Sequence, residues 1–265
     1  MSGDTLRQVL LFLLLVLIAM AGGALIAYPA HFILTDFPFS SLAERGSLLC
    51  GLIVSLWYAR HVMPQGNQSM AIGFRCPAEG WWPPVLRGYL AGLVIMLVLA
   101  LGLWGLGLSR VDEQETFNLL FYAKALLTGL LAGIGASLIE ETIFRGALFS
   151  GLQRRINVVW AILLTSLLYS AVHFLEYPEP AGDIRWYTGL QLFPVALAKL
   201  TEPIIFDHFL TLFLLGLLLS LLRWRDGHIW RAFGLHAGII MMIKLDGEIT
   251  DPVSGGPIDY LVNPY

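Results

Sequence analysis

The sequence predicts an all-α fold, a polytopic membrane bundle of seven to eight transmembrane helices, and three observations predict it. Of the 265 residues 57% are apolar and only 13% charged, the balance of a membrane chain rather than of a soluble domain. Apolar runs of about the ~20 residues that cross a bilayer recur along the chain. Ionisable residues fall inside those runs at only a few places, and an intramembrane charge marks a functional site by default. The formal net charge of −3 and the absence of any Lys/Arg block exclude a nucleic-acid footprint. The implied partner is instead the lipid bilayer.

The first run, Val9 to Tyr28, follows Arg7. It is longer than a signal-peptide core and has no small-residue cleavage site before Pro29, so it is expected to be a span rather than a removed leader. Further runs at Leu42 to Tyr58, Val85 to Leu108, Phe121 to Ile139, Val158 to Leu175, Ile204 to Leu222 and Ile229 to Ile243 bring the crossings to seven. Trp186 to Leu200 is amphipathic and contains Pro194 and Lys199, which leaves three alternatives: interfacial, re-entrant or an eighth span. The loop from His61 to Pro84 is rich in proline and glycine, and its Trp81-Trp82 pair predicts an interfacial anchor at the start of the third span. With the N-terminus inside and Arg145 set aside, basic residues divide nine inside to six outside, which favours that orientation. No repeat or separate soluble domain is visible, so residues 1–265 are expected to form a single integral membrane domain. Cys50 and Cys76 form no C-x-x-C pair, and neither a disulfide nor thiol chemistry is expected.

The stretch Glu140-Glu141-Thr142-Ile143-Phe144-Arg145 places two carboxylates and a guanidinium at the end of the fourth run. Helical residues advance by about 100° each, so Glu140 and Glu141 are expected on different faces, while Glu141 and Arg145 stack at i, i+4 and pair. Glu140 is then the freer base. A partly desolvated carboxylate has its proton affinity raised, which suits it to take a proton from water and return it to a leaving group. Partners for that water are offered by His173, near the end of the fifth run, and His236, within the seventh. Each residue alone is explained by helix packing. Together, on different spans and beside small residues such as Gly133, Ser137, Ala171, Gly234 and Gly238, they point to function. His208 beside Asp207, and His228, are expected to be interfacial; His31 and His61 fall in expected loops; Glu202 is a weaker cavity candidate. No H-E-x-x-H occurs, no aspartate pair lies in the spans, and Leu138 stands where a serine intramembrane protease has a glycine after its serine.

These motifs, Glu140-Glu141-x-x-x-Arg145, then Tyr169-x-x-x-His173, then Gly234-Leu235-His236-Ala237-Gly238 after an apolar span, resemble the CPBP (CAAX protease and bacteriocin-processing, also called Abi) family of glutamic-type intramembrane proteases. The resemblance runs from about Ala132 to Met241, within an expected protease core of approximately 121–245. It implies an all-helical core around a polar, water-accessible cavity and hydrolysis of a peptide bond in a membrane-associated protein or peptide. Glu140 would be the general base, His173 its partner on the water, Glu141 and Arg145 would shape the site, and His236 would help to stabilise the oxyanion. Two positions depart from the family pattern: Tyr169 replaces Phe, and Ile240 replaces the polar residue, usually Asn, four positions after the histidine. The resemblance implies no cofactor; the alternative is zinc on Glu140, His173 and His236, all acceptable ligands. The expected location is a bacterial cytoplasmic membrane, multi-pass. The alternative functions are a non-catalytic binding, immunity or scaffold protein of the same fold, and a small permease, which the lack of repeats disfavours.

Overall fold

The computed structural model describes residues 3–62, 71–112, 118–201 and 206–253. In chain order its elements are α1 (Gly3–Ile33), α2 (Phe39–Val62), α3 (Trp82–Gly105), strand β1 (Ser109–Val111), α4 (Leu119–Glu141), a π-helical segment (Thr142–Leu148), α5 (Phe149–Gln153), α6 (Val158–Val172), α7 (Thr188–Ala198), a 3-10 turn (Lys199–Thr201), α8 (Phe206–Asp226), α9 (Trp230–Ile249) and strand β2 (Thr250–Pro252). The chain divides into two compact units, Met1–Arg75 with Thr142–Leu221, and Cys76–Glu141 with Leu222–Tyr265.

In the first unit α1 and α2 pack through small residues facing larger ones. Met20, Ala24 and Ala27 meet Phe39, Leu42 and Ala43, and Tyr177 and Ala196 join the same buried cluster. The Tyr177 hydroxyl donates to the Met20 carbonyl at 2.9 Å, so the polar tip of this buried ring is satisfied. α6 starts at an Asn157 cap whose side chain accepts from the Val159 N–H at 2.8 Å. It packs against α8, where Ser170 Oγ donates to the Phe209 carbonyl at 2.6 Å and Gly216 lies against Ser166.

In the second unit α9 packs against α3 and α4. Pro83 and Pro84 occupy the first turn of α3, where their missing N–H groups leave no helical bond unmade. Gly88 and Gly92 of α3 then face Gly234 and Gly238 of α9 so closely that a Cβ on Gly234 would strike the Val85 carbonyl, and one on Gly92 the Leu235 carbonyl. On its other side α9 meets α4, where Gly133 lies against Ala237 and Gly129 against Met241. Small residues four apart let helices approach to backbone contact, the usual source of helix association in a lipid solvent. Beyond these helices β1 and β2 form an antiparallel ribbon with Arg110 opposite Asp251, extended by bonds from Asp112 N–H to Ile249 (2.9 Å) and from Val253 N–H to Leu108 (3.0 Å).

The all-helical expectation holds, and several details change. Among the described residues five helical stretches are long and apolar enough to cross a membrane: Leu10–Ile33, Phe39–His61, Trp82–Gly105, Leu119–Gln153 and His208–Asp226. α6 has 15 residues, and α9 carries Arg231, Lys244, Asp246 and Glu248. The segment left open, Trp186 to Leu200, holds the 11-residue helix α7, which at about 1.5 Å per residue is too short for a hydrocarbon core of about 30 Å. His31 and His61 lie in helices, because α1 and α2 run past the apolar cores that the sequence marks. The ribbon was not anticipated, since three-residue strands carry no alternation to read. Glu202 lies outside the described residues.

Gly227, at φ +71°, turns the chain from α8 into α9. Beside it Asp226 is paired with Arg231, Nη2 donating at 2.9 Å and Nε at 2.9 Å from the second oxygen. His228 is buried in this turn, and burial holds its proton affinity below the ordinary imidazole value of 6.5; Asp226 opposes that effect, Arg223 and Arg231 add to it, and Glu79 opposes it weakly.

Two outcomes follow from this packing. Gly234→Val lowers the melting temperature of the purified protein by at least about 5 °C, because roughly 1 kcal/mol corresponds to about 2–4 °C in a chain of this size and overpacking costs about 1–3 kcal/mol; an unchanged value would mean that α3 and α9 are not in backbone contact. The depressed imidazole of His228 contributes stability that is fully present above 6.5 and lost as pH falls through its lower folded value. The melting temperature therefore falls more steeply below about pH 6.5 in wild type than in His228→Gln, and parallel curves would show that His228 does not titrate across that window.

Candidate active site

Gly133 against Ala237 holds α4 and α9 at backbone distance, and the carboxylates follow two turns further along α4. His236 presents Nδ1 to Glu141 Oε1 at 3.1 Å and Nε2 to Glu140 Oε2 at 3.7 Å. The two glutamates are on different faces of α4, as expected. Both nevertheless meet the same imidazole, because its nitrogens lie on different edges of the ring. The environments differ: the Glu141 side chain is 0% exposed and that of His236 3%, whereas Glu140 keeps 14%. An ionised carboxylate only accepts hydrogen bonds, so with Glu141 ionised the hydrogen of this contact belongs to Nδ1, and Nε2 is the nitrogen that faces Glu140. The geometry thus separates a sealed carboxylate that orients the ring from a more accessible one that faces its far nitrogen.

The first unit holds the other motif residues. Arg145 is fully buried, its guanidinium carbon 4.3 Å from the centre of the Tyr169 ring and 5.9 Å from that of Phe144. Its Nη2 donates to the Gly216 carbonyl at 3.3 Å. Phe144 meets Tyr169 edge to face at 5.2 Å, and Tyr169 meets His173 at 4.4 Å. His173 closes α6, with Nδ1 2.7 Å from the Tyr169 carbonyl one turn back. A carbonyl cannot donate, so Nδ1 carries the proton of this contact. Tyr169, which departs from the family's phenylalanine, keeps the aromatic face on which the arginine rests.

Glu140, Glu141 and His236 therefore come together in one unit, and Arg145 and His173, joined through Tyr169, in the other. The π-helical segment begins directly after Glu141, and all seven of its residues are buried. Over this segment the α-helical i→i+4 hydrogen bonding thus gives way to i→i+5 rings. Composition gave no warning of it beyond two β-branched residues, Thr142 and Ile143, which are stiff in a helix. The role of Tyr169 as a platform was also missed; an aromatic residue four before a histidine was the available signal. Among the described residues no group of three or more His, Cys, Asp or Glu has the arrangement of a metal cluster.

Residues 122–242 match the family model described as Type II CAAX prenyl endopeptidase Rce1-like. The match starts about ten residues before the recognisable stretch and ends with it at the His236 helix. No curated protein and no solved structure matches the chain.

Removing the buried guanidinium tests the Tyr169 platform. Arg145→Ala loses about 5 °C or more of melting temperature through the cavity and the lost ring contact. Arg145→Lys recovers only part of it, because an ammonium lacks the planar face that stacks on a ring. Full recovery by lysine would show that charge alone is required there.

Proposed function

We propose that this chain, whose residues 122–242 belong to the Type II CAAX prenyl endopeptidase Rce1-like family, is an intramembrane endopeptidase that cuts a membrane-associated protein or peptide with water activated by Glu140. At the family level it is a peptidase, and its apolar helices make it an integral membrane protein. In this reading α6 and α9 join the five long helices to give seven crossings.

The observation that carries the proposal is the His236 imidazole set between two unequal carboxylates. Glu140, the more exposed, takes a proton from water as the water oxygen bonds to the scissile carbonyl carbon and the carbonyl electron pair moves onto oxygen. Collapse of that intermediate breaks the C–N bond, and the proton passes to the leaving amine. Glu141 keeps His236 fixed, and the ring, once Nε2 has also taken up a proton, supplies a positioned donor to the developing oxyanion. His173, whose Nδ1 is held by the Tyr169 carbonyl, is the second proton-transfer group that the resemblance implies. Prenylated C-termini are the substrate class that the family description suggests. The apolar Ile240 contributes no donor, so oxyanion stabilisation in this chain rests more heavily on His236.

The test is cleavage of a quenched fluorescent peptide library, with farnesylated and unmodified C-termini, by the purified detergent-solubilised protein. Glu140→Gln lowers kcat by about 10²–10⁴-fold with an unchanged melting temperature, the range expected for a general base. Wild-type turnover in that variant removes Glu140 from the mechanism. Repeating the assay with a strong chelator separates the glutamate reading, in which activity survives, from a zinc reading through Glu140, His173 and His236.

A further inference from the structure

One turn before the carboxylates, α4 carries a buried hydroxyl that the chemistry described so far does not use. The inward stripe of this helix reads Ala125, Gly129, Gly133, Ser137 and Glu141, one residue per turn. Gly129 lies against Met241 and Gly133 against Ala237, so α4 and α9 run antiparallel along the stripe. At its end Glu141 meets the His236 imidazole at 3.1 Å. Ser137 stands between the Gly133 contact and the Glu141 contact, is 0% exposed, and has no hydrogen-bond partner for its Oγ among the described residues.

A hydroxyl inside a helix has a ready acceptor in the carbonyl four residues back. Other helical hydroxyls of this chain take it. Thr128 Oγ1 donates to the Lys124 carbonyl at 2.9 Å in α4 itself, Ser47 Oγ to that of Ala43 at 2.7 Å, and Ser166 Oγ to that of Ile162 at 2.8 Å. Ser137 makes no such bond to Gly133. An unpaired hydroxyl held away from water costs free energy that an alanine would not, so serine is the poorer choice at this position unless its hydrogen bond is made while the protein works.

The acceptor that the helix brings nearest is the Glu141 carboxylate. Residues four apart are neighbours on a helix surface, with Cβ atoms about 5–6 Å apart. A long side chain also leans back over the turn before it, which carries the carboxylate of Glu141 towards Ser137. A serine hydroxyl turns about its own bonds to suit its acceptor. We propose, on the reading of His236 as the oxyanion donor, that Ser137 is a positioning residue of the same site: its hydroxyl donates to the Glu141 carboxylate and seats it against the imidazole. The bond strengthens as His236 takes up its second proton, because the carboxylate then faces a full positive charge and any drift of either group misaims Nε2. Ser137 thus acts through Glu141 rather than on the substrate, and its contribution is greatest at the transition state.

Peptide turnover by the full-length, detergent-solubilised protein is compared for wild type, Ser137→Ala, Ser137→Thr and Glu140→Gln. Ser137→Ala lowers kcat about tenfold with KM unchanged, the pattern of an interaction made chiefly in the transition state, and Ser137→Thr, which keeps the hydroxyl, recovers most of the loss. A hydroxyl that only fills space predicts wild-type kcat in the alanine variant. That result beside an inactive Glu140→Gln overturns the role of Ser137 and leaves the glutamate mechanism standing, whereas wild-type turnover in Glu140→Gln removes both. A second readout needs no turnover: the melting temperatures of Ser137→Ala, Glu141→Met and the double variant. The alanine substitution costs at least about 2 °C more in the wild-type background than beside Glu141→Met, where the acceptor is gone; equal changes in the two backgrounds mean that the side chains do not interact and overturn the proposal.

Discussion

The approach of α9 to α3 and α4 at backbone distance is the constraint on which the second unit depends. In a bilayer no hydrophobic force drives one apolar helix onto another, so association rests on van der Waals contact and hydrogen bonding. Gly88, Gly92, Gly234 and Gly238 supply the first between α3 and α9, and Gly133 against Ala237 supplies it between α9 and α4. With its helix held on two sides, His236 has little positional freedom. Its 3.1 Å contact with Glu141 is thus set by helix packing as much as by attraction between the groups.

The units meet the cost of burying charge in different ways. A desolvated carboxylate or guanidinium is tolerated only when hydrogen-bonded or paired. Glu141, sealed from solvent, has an imidazole that can carry a proton. Arg145, equally buried, has an aromatic face and a backbone carbonyl. The second arrangement suits a guanidinium, which is planar and weakly hydrated, and explains why the tyrosine and the arginine serve together. Neither device resembles an exposed ion pair, whose contribution is small.

Much of this was legible in the sequence because it is written in composition and spacing. The apolar runs marked the helices, and the carboxylates of α4 and His236 of α9, singled out from residue type and context alone, lie close together. The small residues around them signalled close packing, and Gly133, Gly234 and Gly238 fulfil that role. The π-helical segment was not legible, because a change of helical hydrogen-bonding register leaves almost no mark on composition. Short elements escaped for a related reason: α7 and the ribbon contain too few residues for any period to declare itself.

The packing of α9 also bears on how such a protein can diversify. At about 100° per residue, the contact positions of α9 divide its circumference unequally. Gly234 and Gly238 are closed by α3, and Ala237 and Met241 face α4, so growth of a side chain at any of them meets an occupied surface. His236 and Ile240, one turn apart, lie on the face turned away from those contacts. Inheritable change along this helix is therefore channelled towards the face that carries His236. A lineage carrying this frame can retune its chemistry one substitution at a time while the scaffold stays fixed.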